Sequence, residues 1–154
     1  PLECVRMMKS IVSNVEKEIL ENEEFFNLIT SPDKTNSGNA ICSSAFEMAK
    51  DLSLKIMVIM TETGSTGNTM SSFRPSSLIF AMTPSDKVYR KLSLTWGVVP
   101  IKVKKFKSTD QMLEFCRKFL IDNNIIKKGE QFIMTAGIPV GVTGTTNMIK
   151  IETI

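Results

Sequence analysis

The sequence predicts a three-layer α/β/α sandwich on a mostly parallel sheet of about five strands, and two observations predict it. Short runs that are apolar at every position, such as Ile56–Met60 and Leu78–Met82, alternate with segments of helical periodicity. A strand without a polar face must be covered on both sides, and parallel strands need crossover connections that are usually helices. A chain of 154 residues suits one such domain with a sizeable core rather than two.

The elements follow in order. Val5, Met8, Val12, Val15 and Ile19 recur at steps of three or four, with Cys4, Ile11 and Leu20 beside them, which predicts an amphipathic helix whose first turn accommodates Pro1. The breaker-rich stretch from Ser31 to Gly38 reads as a loop, dividing a helical segment at 1–30 from a domain at 31–154. A second helix is expected from about Ala40, with Ala45, Phe46, Ala49 and Leu52 on one face, and then a buried strand from Lys55 to Met60. After the strand Leu78–Met82, Thr83-Pro84-Ser85-Asp86 predicts a turn and helix cap ahead of Val88, Leu92 and Leu94. Val98–Val103 is the next strand. Ser108-Thr109-Asp110 caps a helix bearing Met112, Leu113, Phe115, Cys116, Phe119 and Leu120, and Lys127-Lys128-Gly129 closes that region. Gln131–Thr135 is a further strand. At the end, Met148, Lys150 and Glu152 alternate with Asn147, Ile149, Ile151 and Thr153, as in an edge strand.

Composition narrows the chemistry. The chain has no histidine, which removes the commonest general base and excludes Ser-His-Asp or Cys-His catalysis within it. Three widely spaced cysteines, Cys4, Cys42 and Cys116, form neither a disulfide framework nor a zinc motif and suit a reducing cytoplasm. The net charge of +3 is small, and the basic cluster Lys102, Lys104, Lys105 and Lys107 reads as a solvated strand end, so no nucleic acid is expected. No apolar run approaches the roughly 20 residues of a membrane span, so no membrane partner is expected either. The acidic run Glu21, Glu23 and Glu24 reads as a solvated helix end, Trp96 as a packed core aromatic, and the ten methionines as packing. Pro1 in place of an initiating methionine points to a fragment of a longer protein.

Two loops are candidates for binding. Thr61-Glu62-Thr63-Gly64-Ser65-Thr66-Gly67 leaves a buried strand and runs into a helix, where first-turn N–H groups, hydroxyls and glycines can cradle a phosphate. It matches neither GxxxxGK[ST] nor GxGxxG and has no basic residue, so a helix cap with a tight turn is the alternative. Gly137-Ile138-Pro139-Val140-Gly141-Val142-Thr143-Gly144, between two strands, is either an ordered ligand-facing loop or a plain connection.

Together with Phe73-Arg74-Pro75, Ala81-Met82-Thr83-Pro84, Trp96-Gly97-Val98-Val99-Pro100 and Gly144-Thr145-Thr146-Asn147, these loops occur in the order and spacing of one family. The chain resembles the C-terminal domain of pyruvate kinase, with the segment at 1–30 resembling the last helix of the catalytic barrel that precedes it. The resemblance implies a regulatory and subunit-assembly domain of a homotetrameric glycolytic enzyme that converts phosphoenolpyruvate and ADP to pyruvate and ATP. It implies magnesium and potassium in the full-length enzyme, and neither cofactor nor catalytic residue in this chain. By the same resemblance, Thr61, Thr63, Gly64, Ser65 and Thr66 form an effector-phosphate loop, and Gly137, Pro139, Gly141 and Gly144 the facing effector loop. Strongly regulated members often place basic residues in these loops, whereas Glu62 and Ser65 stand here, which favours a weak or altered response, such as one to a monophosphate. The partners implied are the barrel, the other subunits and a phosphorylated effector. The edge strand is a further interface candidate. An independent flavodoxin-like nucleotide or flavin module, and an interface domain with a vestigial pocket, are the competing readings.

Overall fold

The computed structural model describes residues 1–21, 36–142 and 144–154, with backbone alone at 19–21. The expectations for Glu23 and Glu24, for the side chain of Glu21, for Thr143, and for the 31–35 part of the breaker-rich loop lie outside the described residues. Two compact units are distinguished, Pro1–Ser31 and Pro32–Ile154. The first holds α1, Leu2–Glu21, a 20-residue helix with its apolar residues along one side.

The second unit carries α2 (Ser37–Asp51), β1 (Ile56–Met60), α3 (Ser65–Ser72), β2 (Leu78–Thr83), α4 (Asp86–Leu92), β3 (Val98–Lys102), α5 (Thr109–Asp122), β4 (Gln131–Gly137) and β5 (Thr146–Thr153). The strands form one sheet in the order β3-β2-β1-β4-β5. All pairings are parallel except β4 with β5, which is antiparallel and places β5 at the edge.

Alternation along the strands divides the core in two, because successive side chains point to opposite faces. On one face Met57 and Ile59 of β1, Ile79 and Ala81 of β2 and Ile133 of β4 pack against Cys42, Ala45 and Ala49 of α2, Met70 of α3, and Val88 and Leu92 of α4. On the other, Ile56, Val58, Phe80, Met82, Phe132 and Met134 pack against Met112, Leu113, Cys116 and Leu120 of α5. Full burial of a side chain such as Ile59 or Ile133 contributes about 1.5–3 kcal/mol. This is the α/β/α sandwich expected from strands apolar on both faces.

Local boundaries moved where capping and packing outweighed the apolar pattern. Helix α2 begins at Ser37, three residues before Ala40, because the Asn36 side chain accepts a hydrogen bond from Asn39 N–H at 2.8 Å. Ser37 and Gly38 are therefore helical, not loop. Leu52 is the C-cap of that helix and 49% exposed, so it leaves the apolar face assigned to it. Leu94 lies beyond α4 and is 92% exposed. The caps predicted at Ser85 and Ser108 are present, each accepting from the N–H three residues on, Val88 and Gln111. Trp96 is only half-buried and is not in the core; the Arg74 guanidinium lies over its ring, 4.5 Å from the centroid.

Candidate functional site

The connections fix where a site can form. From β1 the chain passes through α3 to β2 on one side, while β4 pairs with β1 on the other, so the loops after β1 and β4 part from each other. Ligands of open α/β sheets bind in that crevice, beyond the carboxyl ends of the strands. A cavity of about 100 Å³ lies there. One wall is Thr61, Glu62, Thr63, Ser65 and Thr66; the facing wall is Gly137, Val140, Gly141, Val142, Gly144, Thr145 and Thr146. Met60, Met82 and Met112 line it from the sheet and α5, and Val103, Lys104, Lys105 and Phe106 form the third side. A hollow at the opposite, amino end of the strands is lined by Leu52–Ile56, 124–127 and 129–131, with Lys55 and Glu130 paired across it, and has no comparable row of hydroxyls.

The first wall is built by its own hydrogen bonds. Thr61, buried at the end of β1, accepts Gly64 N–H on its hydroxyl at 2.9 Å and donates its own N–H to Met82 O at 3.0 Å. Thr63 and Ser65 share a hydroxyl–hydroxyl bond of 3.0 Å at the rim. Gly64 is the N-cap residue of α3 with φ of 86°, the left-handed region that suits glycine. Gly67 lets α3 sit close against α4, since a Cβ there would stand 2.9 Å from Leu92 Cδ2. As a result the first turn of α3 faces the cavity, and the N–H groups of Thr66 and Gly67 bond to no described residue.

The facing wall is tied to the first and closed at its neck. Thr66 and Thr146 hydroxyls are 2.8 Å apart, linking α3 to the start of β5. The Asn147 side chain accepts Ile138 N–H at 2.8 Å and donates to Ile138 O at 2.7 Å, continuing the ladder where the register shifts between Ala136 and Gly137. Thr145 Oγ1 donates to Val142 O at 2.9 Å.

Of the residues singled out from sequence, Thr61, Thr63, Ser65, Thr66, Gly137, Gly141 and Gly144 line one cavity. Gly64 and Pro139 do not: Gly64 turns the chain behind Thr61, and Pro139 lies at the outer loop, its carbonyl accepting Val142 N–H at 3.3 Å. Three points go beyond the sequence reading. Lys104 and Lys105 are exposed, as expected of a solvated strand end, and the segment after β3 also carries them to the cavity. The cavity therefore has the cations that the two loops lack. Met60, Met82 and Met112 serve the cavity as well as the core. Asn147, read from sequence as part of a motif and of the edge strand but not as a site residue, is the residue that holds the second loop's neck; an Asn after a Gly/Thr-rich turn was the available signal.

Lys102 is diverted from the cavity by its own partners, Asp86 at 2.7 Å and Pro84 O at 2.8 Å. Its hydrogen bond and charge hold the Asp86 carboxyl below the usual range. Glu62, Lys104 and Lys105 have neither an ion pair nor a side-chain hydrogen bond to any described residue. No group of three or more His, Cys, Asp or Glu side chains that could hold a metal ion occurs among the described residues. No described helix is long and apolar enough to cross a membrane.

Comparison with known proteins agrees with this arrangement. The family model described as pyruvate kinase, alpha/beta domain, matches residues 39–152. The chain is 36% identical over 154 residues to a pyruvate kinase of Clostridium acetobutylicum, covering 100% of this chain and 32% of that protein. It is 38% identical over 155 residues to one of Staphylococcus aureus (strain USA300), covering 99% and 26%. The crystal structure of a pyruvate kinase from Cryptosporidium parvum superposes with a TM-score of 0.70 at 27% identity, over 79% of this chain and 23% of that one. The chain thus spans about a quarter to a third of these relatives. A cavity at the switch point of a 3-2-1-4-5 sheet, on a sequence matched from residue 39 to residue 152, identifies this chain as a member of the pyruvate kinase alpha/beta domain family.

Proposed function

We propose that this chain is the regulatory and assembly domain of a pyruvate kinase, and that its cavity binds a phosphorylated small molecule. The observation that carries the proposal is the convergence on one cavity of three things: the first turn of α3 with unpaired N–H groups, the hydroxyls of Thr61, Thr63, Ser65 and Thr66, and two lysines without partners. The helix dipole and donors favour an anion, and Lys104 and Lys105 compensate for the absence of a basic residue in the loops themselves. A monophosphate is the favoured effector class. The apolar strip of Met60, Met82 and Met112 gives the rest of the ligand a dry surface.

In the longer protein, the transfer of phosphate from phosphoenolpyruvate to ADP belongs to the barrel that α1 adjoins, and this chain influences it by linkage. An effector changes the activity only by the difference in its affinity for two states of the assembly. Edge strand β5 is the surface proposed to pair across subunits of a homotetramer in the cytoplasm, because its outer backbone groups are available for a second strand. The family match favours this reading over an independent flavin or nucleotide module.

The test is calorimetric titration with glucose 6-phosphate, ribose 5-phosphate, fructose 1,6-bisphosphate and AMP, repeated on Thr63→Ala/Ser65→Asp. Saturable binding that the double variant abolishes is expected. Equal binding by both proteins would move the ligand elsewhere, and no binding would return the loop to a helix cap.

A further inference from the structure

We infer that the cavity selects a phosphate ester that also carries a protonated amine, as in an amino-sugar phosphate. This inference rests on the phosphate-binding reading above and adds the ligand's second recognition group. Glu62 is the reason for it. An anion site is ordinarily free of carboxylates, since a carboxylate beside a dianion is repelled. Here a carboxylate stands within the anion-binding loop itself, half-buried, lining the same cavity as the hydroxyl cradle. It is not neutralised internally: neither Lys104 nor Lys105 approaches it within ion-pair distance, and no described residue bonds to it. The cavity therefore presents one free negative and two free positive charges to whatever enters.

A ligand with phosphate alone satisfies the lysines and the helix start but leaves Glu62 repulsive. A ligand with a phosphate and an ammonium satisfies all three. The nearby hydroxyls and N–H groups are neutral donors and cannot substitute for a cation at Glu62. Water and salt reach the rim, because Lys104 and Lys105 are exposed, so the gain from one charge pair is modest, roughly two- to fivefold in affinity at low ionic strength.

The experiment compares glucosamine 6-phosphate, glucose 6-phosphate and N-acetylglucosamine 6-phosphate on the full chain by calorimetry near pH 6.5, where the free amine is protonated. Parallel titrations use Glu62→Gln and Lys104→Ala/Lys105→Ala, with thermal unfolding of each variant as a check of folding. The expected result is about two- to fivefold tighter binding of glucosamine 6-phosphate than of glucose 6-phosphate. That preference should vanish on N-acetylation, in Glu62→Gln and at high salt, while the lysine variant loses both ligands. If glucose 6-phosphate binds, and is lost in the lysine variant, but the amine brings no advantage or its advantage survives Glu62→Gln, the amine inference is overturned and the phosphate site stands. If none of the three binds the wild-type chain, both fail.

Discussion

Gly64→Ala perturbs the turn that aims the first wall at the cavity. Gly64 has φ of 86° and ψ of −4°, and an alanine Cβ there would lie 3.2 Å from Val88 Cγ1. Holding a non-glycine residue in the left-handed region costs about 1–2 kcal/mol. Val88 is buried, so the contact adds to that cost rather than relieving it. Against this, alanine reduces the entropy of the unfolded chain, which returns about 0.4–1 kcal/mol. The net is a destabilisation of about 1 kcal/mol. With a urea m-value on the order of 2 kcal/mol/M for a domain of this size, the unfolding midpoint should fall by about 0.5 M with m unchanged. The same variant should weaken phosphate binding, because the Gly64 N–H to Thr61 hydroxyl bond fixes the loop. Urea titrations followed by circular dichroism provide the assay. An unchanged or raised midpoint would refute the reasoning that the left-handed turn is enforced by the fold.

Three further outcomes are expected. Asn147→Ala removes two hydrogen bonds at the loop neck and should cost about 1–3 kcal/mol, with faster amide exchange at Ile138, read by hydrogen-exchange measurements. Asp86 has a lowered carboxyl pKa, held by Lys102, so its contribution to stability is present above the ordinary carboxylate value and is lost as pH falls through the folded value; Asp86→Asn should lower stability slightly at neutral pH and leave the acid end unchanged, which flattens the acid limb of a stability–pH profile. Burial pushes the thiols of Cys42 and Cys116 up to about 11 and about 12; at pH 8 a thiol reagent should label exposed Cys4 in the folded chain and reach the other two only in denaturant.

The sandwich was legible because its strands are apolar on both faces and its helices carry side-chain caps at Ser85 and Ser108, signals local to a few residues. Both candidate loops were legible for the same reason, since hydroxyls and glycines after an apolar run declare a strand end. What could not be read was which distant segment meets them. Lys104 and Lys105 sit about 40 residues after Thr63 in sequence, and only the order β3-β2-β1-β4 with the path after β3 brings them to the same cavity. The charged cluster looked like ordinary solvated lysines because the loops it lies beside are set by topology. Glu62 was read as a deficit against a phosphate loop, yet its meaning changes once it shares a cavity with two free cations. The C-terminal strand shows the same limit. Its alternation marked an edge, but the buried Glu152, paired with Arg117 of α5 and with Lys150 at 2.9 Å, depends on a helix 30 residues earlier.

The central claim is that the cavity between the β1 and β4 loops holds a phosphorylated ligand. Amide chemical-shift mapping of the isotope-labelled chain with glucose 6-phosphate tests it most directly. The account predicts saturable shifts at Thr63 to Gly67, Lys104 to Phe106 and Gly141 to Asn147, with little change at the amino ends of the strands. Shifts clustered around Leu52 to Ile56 and Lys127 to Gln131, or none at all, would contradict it.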